Sequence, residues 1–212
     1  MLSRASALPP LWSGEGPLIL ASTSASRLAL VKAVGLEPEV VAPRVDERTL
    51  ERRHFEDGGS VEGLASVLAR GKALAVSAMR PHAYCLGADQ TLAVDGRVMH
   101  KSHDLVEAAK SLSALAGKTH RLVSAFCVAR RSKALVVGHD HADLRMRPLD
   151  PETISRYLSR AGVAVLSCVG AYRVEGLGAH LFDRVDGEHA VILGLPMLKL
   201  LAWLRHESLI SL

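Results

Sequence analysis

The chain has 212 residues, of which 49% are hydrophobic, and it carries a formal net charge of +4. That content is enough to bury the core of one domain, or of two lobes around one cleft. Aromatic residues make up only 4% and no basic run is interleaved with them, which argues against a base-stacking platform for nucleic acid. No apolar run approaches the length of a membrane span, and the three cysteines lie in apolar stretches. We therefore expect a cytoplasmic protein without membrane or nucleic-acid partners.

A short apolar strand followed by a helix is predicted first. The strand is Leu18 to Ala21, Ser24 is the expected N-cap, and Gly35 stands where the helix ends. The turn between them leaves backbone N–H groups unpaired at the positive end of the helix dipole, and Ser22 and Arg27 flank this turn. The arrangement can bind a phosphate, although many strand-to-helix turns of this kind bind nothing.

Acidic residues follow two of the predicted strands. Asp46 and Glu47 come after a strand at 37–42 and fit either an exposed loop with weak ion pairs or ligands of a hard divalent cation. Asp89 closes an apolar strand at 83–88. Because α/β proteins bind ligands at the carboxyl ends of their strands, Asp89 is the better candidate for a functional carboxylate.

The rest of the chain alternates between strands and helices. In chain order the pattern predicts a loop at 51–59, a helix at 61–79 capped by Ser60, a hairpin at 94–98, a helix at 104–116, two long strands at 121–130 and 134–147, a helix at 150–160, strands at 163–169 and 179–185, and a last helix at 196–205. Hairpins exclude a purely parallel sheet, so this order predicts an α/β domain with a mixed sheet.

One cluster of potential metal ligands lies on a long strand. His139, His141 and Asp143 alternate and therefore share one face of that strand. They fit either a transition-metal site or, more simply, a solvated strand surface, because no cysteine or glutamate completes a recognisable ligand set.

Taken together, these segments resemble the Maf family of nucleoside triphosphate pyrophosphatases. The matching blocks occur in family order from about residue 17 onward: LASTSASR at 20–27, VDE at 45–47, LARGKA at 68–73, GADQ at 87–90, Lys101, GKTH at 117–120, GAY at 170–172, EG at 175–176 and GLP at 194–196. The resemblance implies a fold like that of the inosine-triphosphate pyrophosphatases, with a mixed twisted sheet flanked by helices and two lobes around a central cleft. It also implies a homodimer, one domain at 17–212, and an N-terminal extension at 1–16.

The resemblance further implies an activity. Family members hydrolyse the α–β phosphoanhydride of a nucleoside triphosphate to a monophosphate and pyrophosphate with Mg²⁺ or Mn²⁺, which removes modified nucleotides from the pool. Carried onto the matching positions, the proton acceptor is Asp89, the metal ligands are Glu47 and Asp89, and the groups that hold the phosphates are Lys72, Lys101, Ser22, Ser24 and Arg27. A tightly bound metal lowers the basicity that a proton acceptor needs, so the dominant role of Asp89 is left open between these two. Some members arrest septum formation, so a non-catalytic nucleotide-binding regulator is the alternative from another class.

The base is indicated by two positions, Gln90 and Glu175. Both resemble the branch of the family that acts on 7-methyl-GTP, whereas the pyrimidine-directed branch has Asp-Thr and Gln-Gly there. Guanine presents two adjacent donors, N1–H and N2–H₂, which a carboxylate accepts together, while an amide better matches uracil or thymine. A guanine-type substrate is therefore expected, and a dTTP/UTP pyrophosphatase of the same fold is the alternative.

Two departures from the family pattern affect the number of cations available to bind the phosphates of a nucleotide. Ala25-Ser26-Arg27 stands where many members have Pro-Arg-Arg, and Ser167-Cys168-Val169-Gly170 replaces a common Asp-Lys-Ala-Gly. Each change removes one cation that could have faced a triphosphate.

Overall fold

The computed structural model describes residues 10–212 and is built on one mixed sheet. Its seven strands are β1 (Leu18–Ala21), β2 (Glu39–Val40), β3 (Tyr84–Val94), β4 (Arg97–Met99), β5 (Thr119–Arg130), β6 (Lys133–Met146) and β7 (Phe182–Asp186). The strand order is β2-β1-β3-β5-β6-β7, with β4 paired to β3. β1 is parallel to β2 and β3, and the other pairs are antiparallel. The predicted mixed α/β architecture is confirmed.

Seven α-helices flank the sheet. They are α1 (Ala25–Ala33), α2 (Glu47–Glu56), α3 (Leu64–Met79), α4 (Leu105–Leu115), α5 (Pro151–Ala161), α6 (His189–Ile192) and α7 (Met197–His206). The predicted caps form at three of them: the side chains of Ser24, Asp104 and Asp150 each accept a hydrogen bond from the backbone N–H three residues on. None of the helices in residues 10–212 is both long and apolar enough to cross a bilayer.

α3 packs closely on β3, and this contact sets the position of the site. Gly87 of β3 lies against the α3 backbone, so that a Cβ added there would stand 2.5 Å from the backbone nitrogen of Ala73. Small residues on both elements, including Ala69, permit this approach. As a consequence Lys72 of α3 reaches Asp89, two residues beyond Gly87 on the strand.

Several predicted elements differ in the structure. The expected loop at 51–59 is mostly helix α2, which begins after Asp46: the Asp46 carboxylate accepts from the N–H and hydroxyl of Thr49 at 3.1 and 2.8 Å. None of the residues of α2 is buried, so its sequence lacks the apolar stripe from which a helix is predicted. The alternative that Asp46 is a cation ligand is not supported, since its carboxylate is used as a cap.

Three other boundaries move for local reasons. α3 begins at Leu64 rather than 61, because the Ser60 hydroxyl caps a separate turn by accepting from the Gly63 N–H. The expected strand at 163–169 is a 3-10 helix, Gly162–Ser167, entered through Gly162 at a φ of +65°. The expected strand at 179–185 starts as a second 3-10 helix, Leu177–Leu181, and continues as β7.

The N-terminal segment makes contacts with the domain. Trp12 forms a bridge with Ile210 and an edge-to-face contact with Tyr84, with ring centroids 5.4 Å apart. Residues 1–9 of the predicted extension lie outside the described residues.

Candidate active site

A cleft of about 1200 Å³ opens where β1 ends beside β3, and it gathers the candidate residues. One wall comes from the turn into α1 and from α2 and α3, and the other comes from 98–103 and 167–175. Each of the nine residues proposed from the sequence lines this cleft: Ser22, Ser24, Arg27, Glu47, Lys72, Asp89, Gln90, Lys101 and Glu175. Asp89 lies within β3 and not at its end, because the strand continues to Val94, but its neighbour β1 stops at Ala21, opposite Gly87.

The turn into α1 has the hydrogen bonds of an anion site. Ser24 Oγ accepts from the Arg27 N–H at 3.4 Å, and Ser22 Oγ accepts from the Ser24 N–H at 3.2 Å. Since both hydroxyl oxygens act as acceptors within the turn, their O–H groups remain to donate to an anion in the cleft. The positive end of the α1 dipole adds to this preference.

Arg27 reaches from α1 across to the other side of the site. Its Nε donates to the carbonyl oxygen of Gly194 at 2.9 Å, and its guanidinium lies 3.7 Å from the Asp89 carboxylate. Burial lowers the pKa of Arg27 from its ordinary value, while the negative charges of Asp89 and then Glu47 act in the opposite direction. Arg27 therefore supplies a desolvated cation at the mouth of α1.

Lys72 lies between two carboxylates. Its Nζ is 2.8 Å from Asp89 Oδ2 and 2.9 Å from Glu47 Oε1. Lys72 and Asp89 are buried, whereas the Glu47 side chain, in the first turn of α2, is half exposed. Buried charges of this kind are stable only when paired, and here an ammonium joins two acids from different elements. Sequence reasoning treated Glu47 and Asp89 separately, and the structure brings them together.

The same pair of carboxylates fits a hard divalent cation. Within residues 10–212 there is no group of three or more acidic, histidine or cysteine side chains that could enclose a metal ion. Mg²⁺ is commonly bound by one or two carboxylates with the remaining positions filled by water and substrate phosphates. Glu47 and Asp89 suit a metal ion that arrives with the phosphates of a nucleotide.

The opposite wall carries two cations, one of which the sequence analysis missed. Lys101 is exposed beside the cleft and its backbone pairs with Val169 in an isolated bridge. Arg173 also lines the cleft, and its Nε donates to Glu175 Oε1 at 3.2 Å. Arg173 thus supplies a guanidinium in the wall where Cys168 replaces the lysine of the family pattern. It could have been found as the arginine inside the glycine-rich segment.

Gln90 lies on the opposite side of β3 from Asp89. Its Nε2 lies 3.0 Å from Ser124 Oγ and 2.9 Å from the carbonyl oxygens of both Val191 and Ile192, so its two hydrogens are shared among three acceptors. Ser124 is completely buried and was not identified from the sequence, where the only signal was one hydroxyl in an apolar strand. Gln90 and Ser124 together hold the end of α6, which forms part of the cleft wall.

The potential metal ligands on β6 make separate contacts with other residues. Asp143 makes a two-point ion pair with Arg121, with both N–O distances 2.8 Å, and His139 offers its carbonyl oxygen to Lys199 at 2.8 Å. No group of three or more potential metal ligands is found there or elsewhere in the described part of the chain. These contacts therefore favour the surface alternative.

A buried histidine behind the cleft gives a prediction about stability. His120 Nε2 lies 2.7 Å from the hydroxyl of Tyr172, and burial lowers the pKa of His120 from 6.5 to about 4. Between these two values the unfolded chain binds a proton that the folded protein does not. We expect acidification from pH 6.5 to pH 4 to cost about 3 kcal/mol of unfolding free energy through this group.

Urea denaturation of the wild type and His120→Phe across this pH range measures the effect. The variant should lose part of the pH dependence. Depressed carboxyl pKa values, such as that of Asp140, begin to affect stability below about pH 5, and they do so in both proteins. The prediction would be contradicted if the unfolding free energy changed equally with pH in both proteins.

Comparison with known proteins agrees with this geometry. A family model described as Maf-like protein matches residues 17–207. The chain therefore belongs to the Maf-like family, and the resemblance seen in the sequence is confirmed.

Individual relatives cover almost the whole chain. It is 44% identical over 194 residues to the 7-methyl-GTP pyrophosphatase of Brucella abortus biovar 1 (strain 9-941), covering 92% of this chain and 98% of that protein. The 7-methyl-GTP pyrophosphatase of Rhizobium etli is 45% identical with the same coverage. The nucleoside triphosphate pyrophosphatase of Rhodopseudomonas palustris (strain BisB5) is 45% identical over 203 residues, covering 95% of this chain and 99% of that protein.

Proposed function

We propose that this protein is a nucleoside triphosphate pyrophosphatase that hydrolyses the α–β phosphoanhydride to a nucleoside monophosphate and pyrophosphate. The observation that carries this proposal is the Glu47–Lys72–Asp89 cluster, in which one buried ammonium joins two carboxylates beside an anion-binding helix mouth. The names of the relatives support the same reaction class. Removal of modified nucleotides from the pool, in the cytoplasm, is the corresponding role.

Different residues of the site bind the substrate, accept the proton and stabilise the developing charge. The hydroxyls of Ser22 and Ser24 and the cations Arg27, Lys72 and Lys101 bind and orient the triphosphate. Water attacks the α-phosphorus, its proton passes to a carboxylate oxygen of Asp89, and the bond from the α-phosphorus to the bridging oxygen breaks, so that pyrophosphate leaves. Positive groups held rigidly near the leaving phosphates stabilise the charge that develops there.

A divalent cation, Mg²⁺ or Mn²⁺, completes the proposal. Glu47 and Asp89 would hold it, and when bound it neutralises phosphate charge at the reacting bond. Lys72 contacts both of these carboxylates. A triphosphate offers Lys72 another anion, which frees Asp89 either to hold the cation or to accept the proton.

We infer a guanine-type base, with 7-methyl-GTP as the leading candidate. Glu175 lines the cleft, and within residues 10–212 only its Oε1 accepts a hydrogen bond, from Arg173, so the carboxylate retains acceptor capacity for N1–H and N2–H₂ of guanine. The Brucella and Rhizobium relatives are named for 7-methyl-GTP, which supports the same choice.

The test is pyrophosphate release from GTP, 7-methyl-GTP, dTTP, UTP, CTP and ITP with Mg²⁺ or Mn²⁺. Preferential turnover of guanine nucleotides is expected. Turnover of dTTP and UTP alone would agree with the proposed pyrophosphatase reaction but would contradict the proposed guanine-type base. Absence of turnover by folded protein with either metal would reject the enzyme and favour the nucleotide-binding regulator of septum formation.

Replacing Glu175 by glutamine should reduce guanine use selectively. An amide accepts with one oxygen and brings an unwanted N–H₂ towards the guanine donors, so kcat/KM for 7-methyl-GTP should fall at least about tenfold relative to UTP. Steady-state kinetics on both nucleotides measure the ratio. Glu188→Gln, at a half-buried glutamate outside the cleft lining, is the control, and an unchanged ratio in Glu175→Gln would contradict the base assignment.

We also infer a homodimer. Leu135 and Val137 of β6 are large apolar side chains that are 47% and 42% exposed, which suits a protein interface better than a solvated surface. Light scattering should give twice the 22.7 kDa mass of the chain, and a monomeric mass would overturn this inference.

A further inference from the structure

The side-chain amide of Gln90 has a fixed orientation. Its Nε2 faces two backbone carbonyl oxygens, those of Val191 and Ile192, at 2.9 Å. Carbonyl oxygens only accept hydrogen bonds, so the group that faces them must be the N–H₂ of the amide and not its oxygen. These two carbonyls are at the C-terminal end of α6, and that of Val191 also accepts from the Gly194 backbone N–H at 3.0 Å.

Ser124 completes the arrangement. Its side chain is fully buried, and its hydroxyl donates to the Val191 carbonyl oxygen at 2.6 Å. Since the single hydroxyl hydrogen is used there, the Ser124 oxygen is left to accept from Gln90 Nε2 at 3.0 Å. Loss of this hydroxyl would remove an acceptor from Gln90 and a donor from Val191 together.

The other end of the amide faces the nucleotide cleft. Gln90 is partly exposed and lines the cleft, while Oε1 accepts no hydrogen bond from residues 10–212. We propose that Ser124 is a positioning residue of the nucleotide site: with the α6 carbonyls it locks the Gln90 amide, so that only the acceptor Oε1 is presented to the base. The part of this proposal that concerns the base rests on the proposed function.

The lock has a consequence for selectivity. Guanine offers two adjacent donors, and a fixed acceptor at Gln90 joins the carboxylate acceptor of Glu175 in matching donors. A free amide can rotate by half a turn and offer N–H₂ to a uracil or thymine carbonyl. Locking the amide therefore disfavours uracil and thymine nucleotides.

The composition of the chain makes this amide directly observable. The sequence contains one glutamine, Gln90, and no asparagine. A ¹H–¹⁵N spectrum of the full-length chain without a tag that carries either residue therefore contains a single side-chain N–H₂ pair, which needs no further assignment. In the wild type both protons should exchange with water at least about tenfold more slowly than those of free glutamine, because buried acceptors hold them.

Two variants separate the lock from general packing. In Ser124→Ala the N–H₂ pair should exchange at least about fivefold faster than in wild type, and the ratio of kcat/KM for 7-methyl-GTP over UTP should fall about tenfold. Ser77→Ala is the matched control: Ser77 is equally buried and accepts from the Ser132 N–H at 3.0 Å, but does not line the cleft. It should leave both measurements unchanged.

Each other result has a defined meaning. If the wild-type amide protons exchange as fast as those of free glutamine, the Gln90 amide is not held in a fixed orientation. If exchange is faster in Ser124→Ala but the ratio of kcat/KM for the two nucleotides is unchanged, the orientation of the amide has no role in base selection. If Ser124→Ala does not fold, Ser124→Cys, which keeps nearly the same volume with a weaker hydrogen-bonding group, is measured in the same way. A wild type that hydrolyses no nucleotide rejects the proposed function, while the exchange measurement still decides the lock.

Discussion

Asp89→Asn should lower kcat/KM for the preferred nucleotide by about 10²- to 10⁴-fold, the range expected when a proton acceptor is lost. The amide has the shape of the carboxylate but neither its basicity nor its charge. It also leaves Lys72 with Glu47 as its one remaining acidic partner within residues 10–212, and it removes the negative charge 3.7 Å from Arg27. Pyrophosphate release at saturating Mg²⁺, over a range of nucleotide concentrations, measures both kcat and KM.

A control is needed because the substitution changes a buried ion pair. Asp143→Asn removes a carboxylate of similar chemistry from its pair with Arg121, outside the cleft lining, and should retain activity within about twofold. Thermal melting of both variants shows whether they fold. If folded Asp89→Asn kept more than about a tenth of the wild-type activity, the assignment of Asp89 as proton acceptor would be wrong.

Gly87→Ala should destabilise the protein by at least about 3 kcal/mol, because the new methyl group has no space. Its Cβ would meet the backbone of α3, at the carbonyl oxygen of Ala69 and 2.5 Å from the nitrogen of Ala73. Backbone atoms cannot rotate away as a side chain can, so α3 must move off β3. For a chain of this size the melting temperature should fall by about 10 °C.

The same substitution should also impair the site, since Lys72 and Asp89 are carried by the two elements that separate. Calorimetry and pyrophosphate release on one preparation test both effects. Gly176→Ala is the matched control, because a Cβ there meets its nearest atom at an ordinary 3.9 Å, and its stability should change by less than about 1 kcal/mol. A Gly87→Ala protein that melts at the wild-type temperature would contradict the close packing of α3 on β3.

Features with a local cause could be predicted from the sequence. Ser24, Asp104 and Asp150 form the expected caps because a cap depends on the next three residues alone. The Asp95-Gly96 hairpin forms between β3 and β4 because both residues adopt the positive φ that this turn requires. The sequence blocks that match the family could likewise be recognised, since each is a short run of residues. Together they predicted the central cleft.

Local signals failed where they were weak or where burial was the deciding factor. The polar, charged segment at 51–59 predicts a loop, but most of it is helix α2, none of whose residues is buried, so no apolar period marks the helix. The apolar run at 163–169 predicts a strand, but Gly162 turns the chain into a 3-10 helix. An apolar run indicates burial, and the partners that bury it decide between strand and helix.

The sequence by itself thus determined most of the elements, most of the caps and most of the residue types in the site. Only the tertiary structure decided which of those residues meet. The approach of α3 at Gly87 joins Lys72 to Asp89, and the start of α2 brings Glu47 to the same ammonium group. The orientation of Gln90 depends on carbonyls about a hundred residues further along the chain. Such long-range contacts arise from packing and from the need to pair buried polar groups, and neither leaves a mark on the residues nearby.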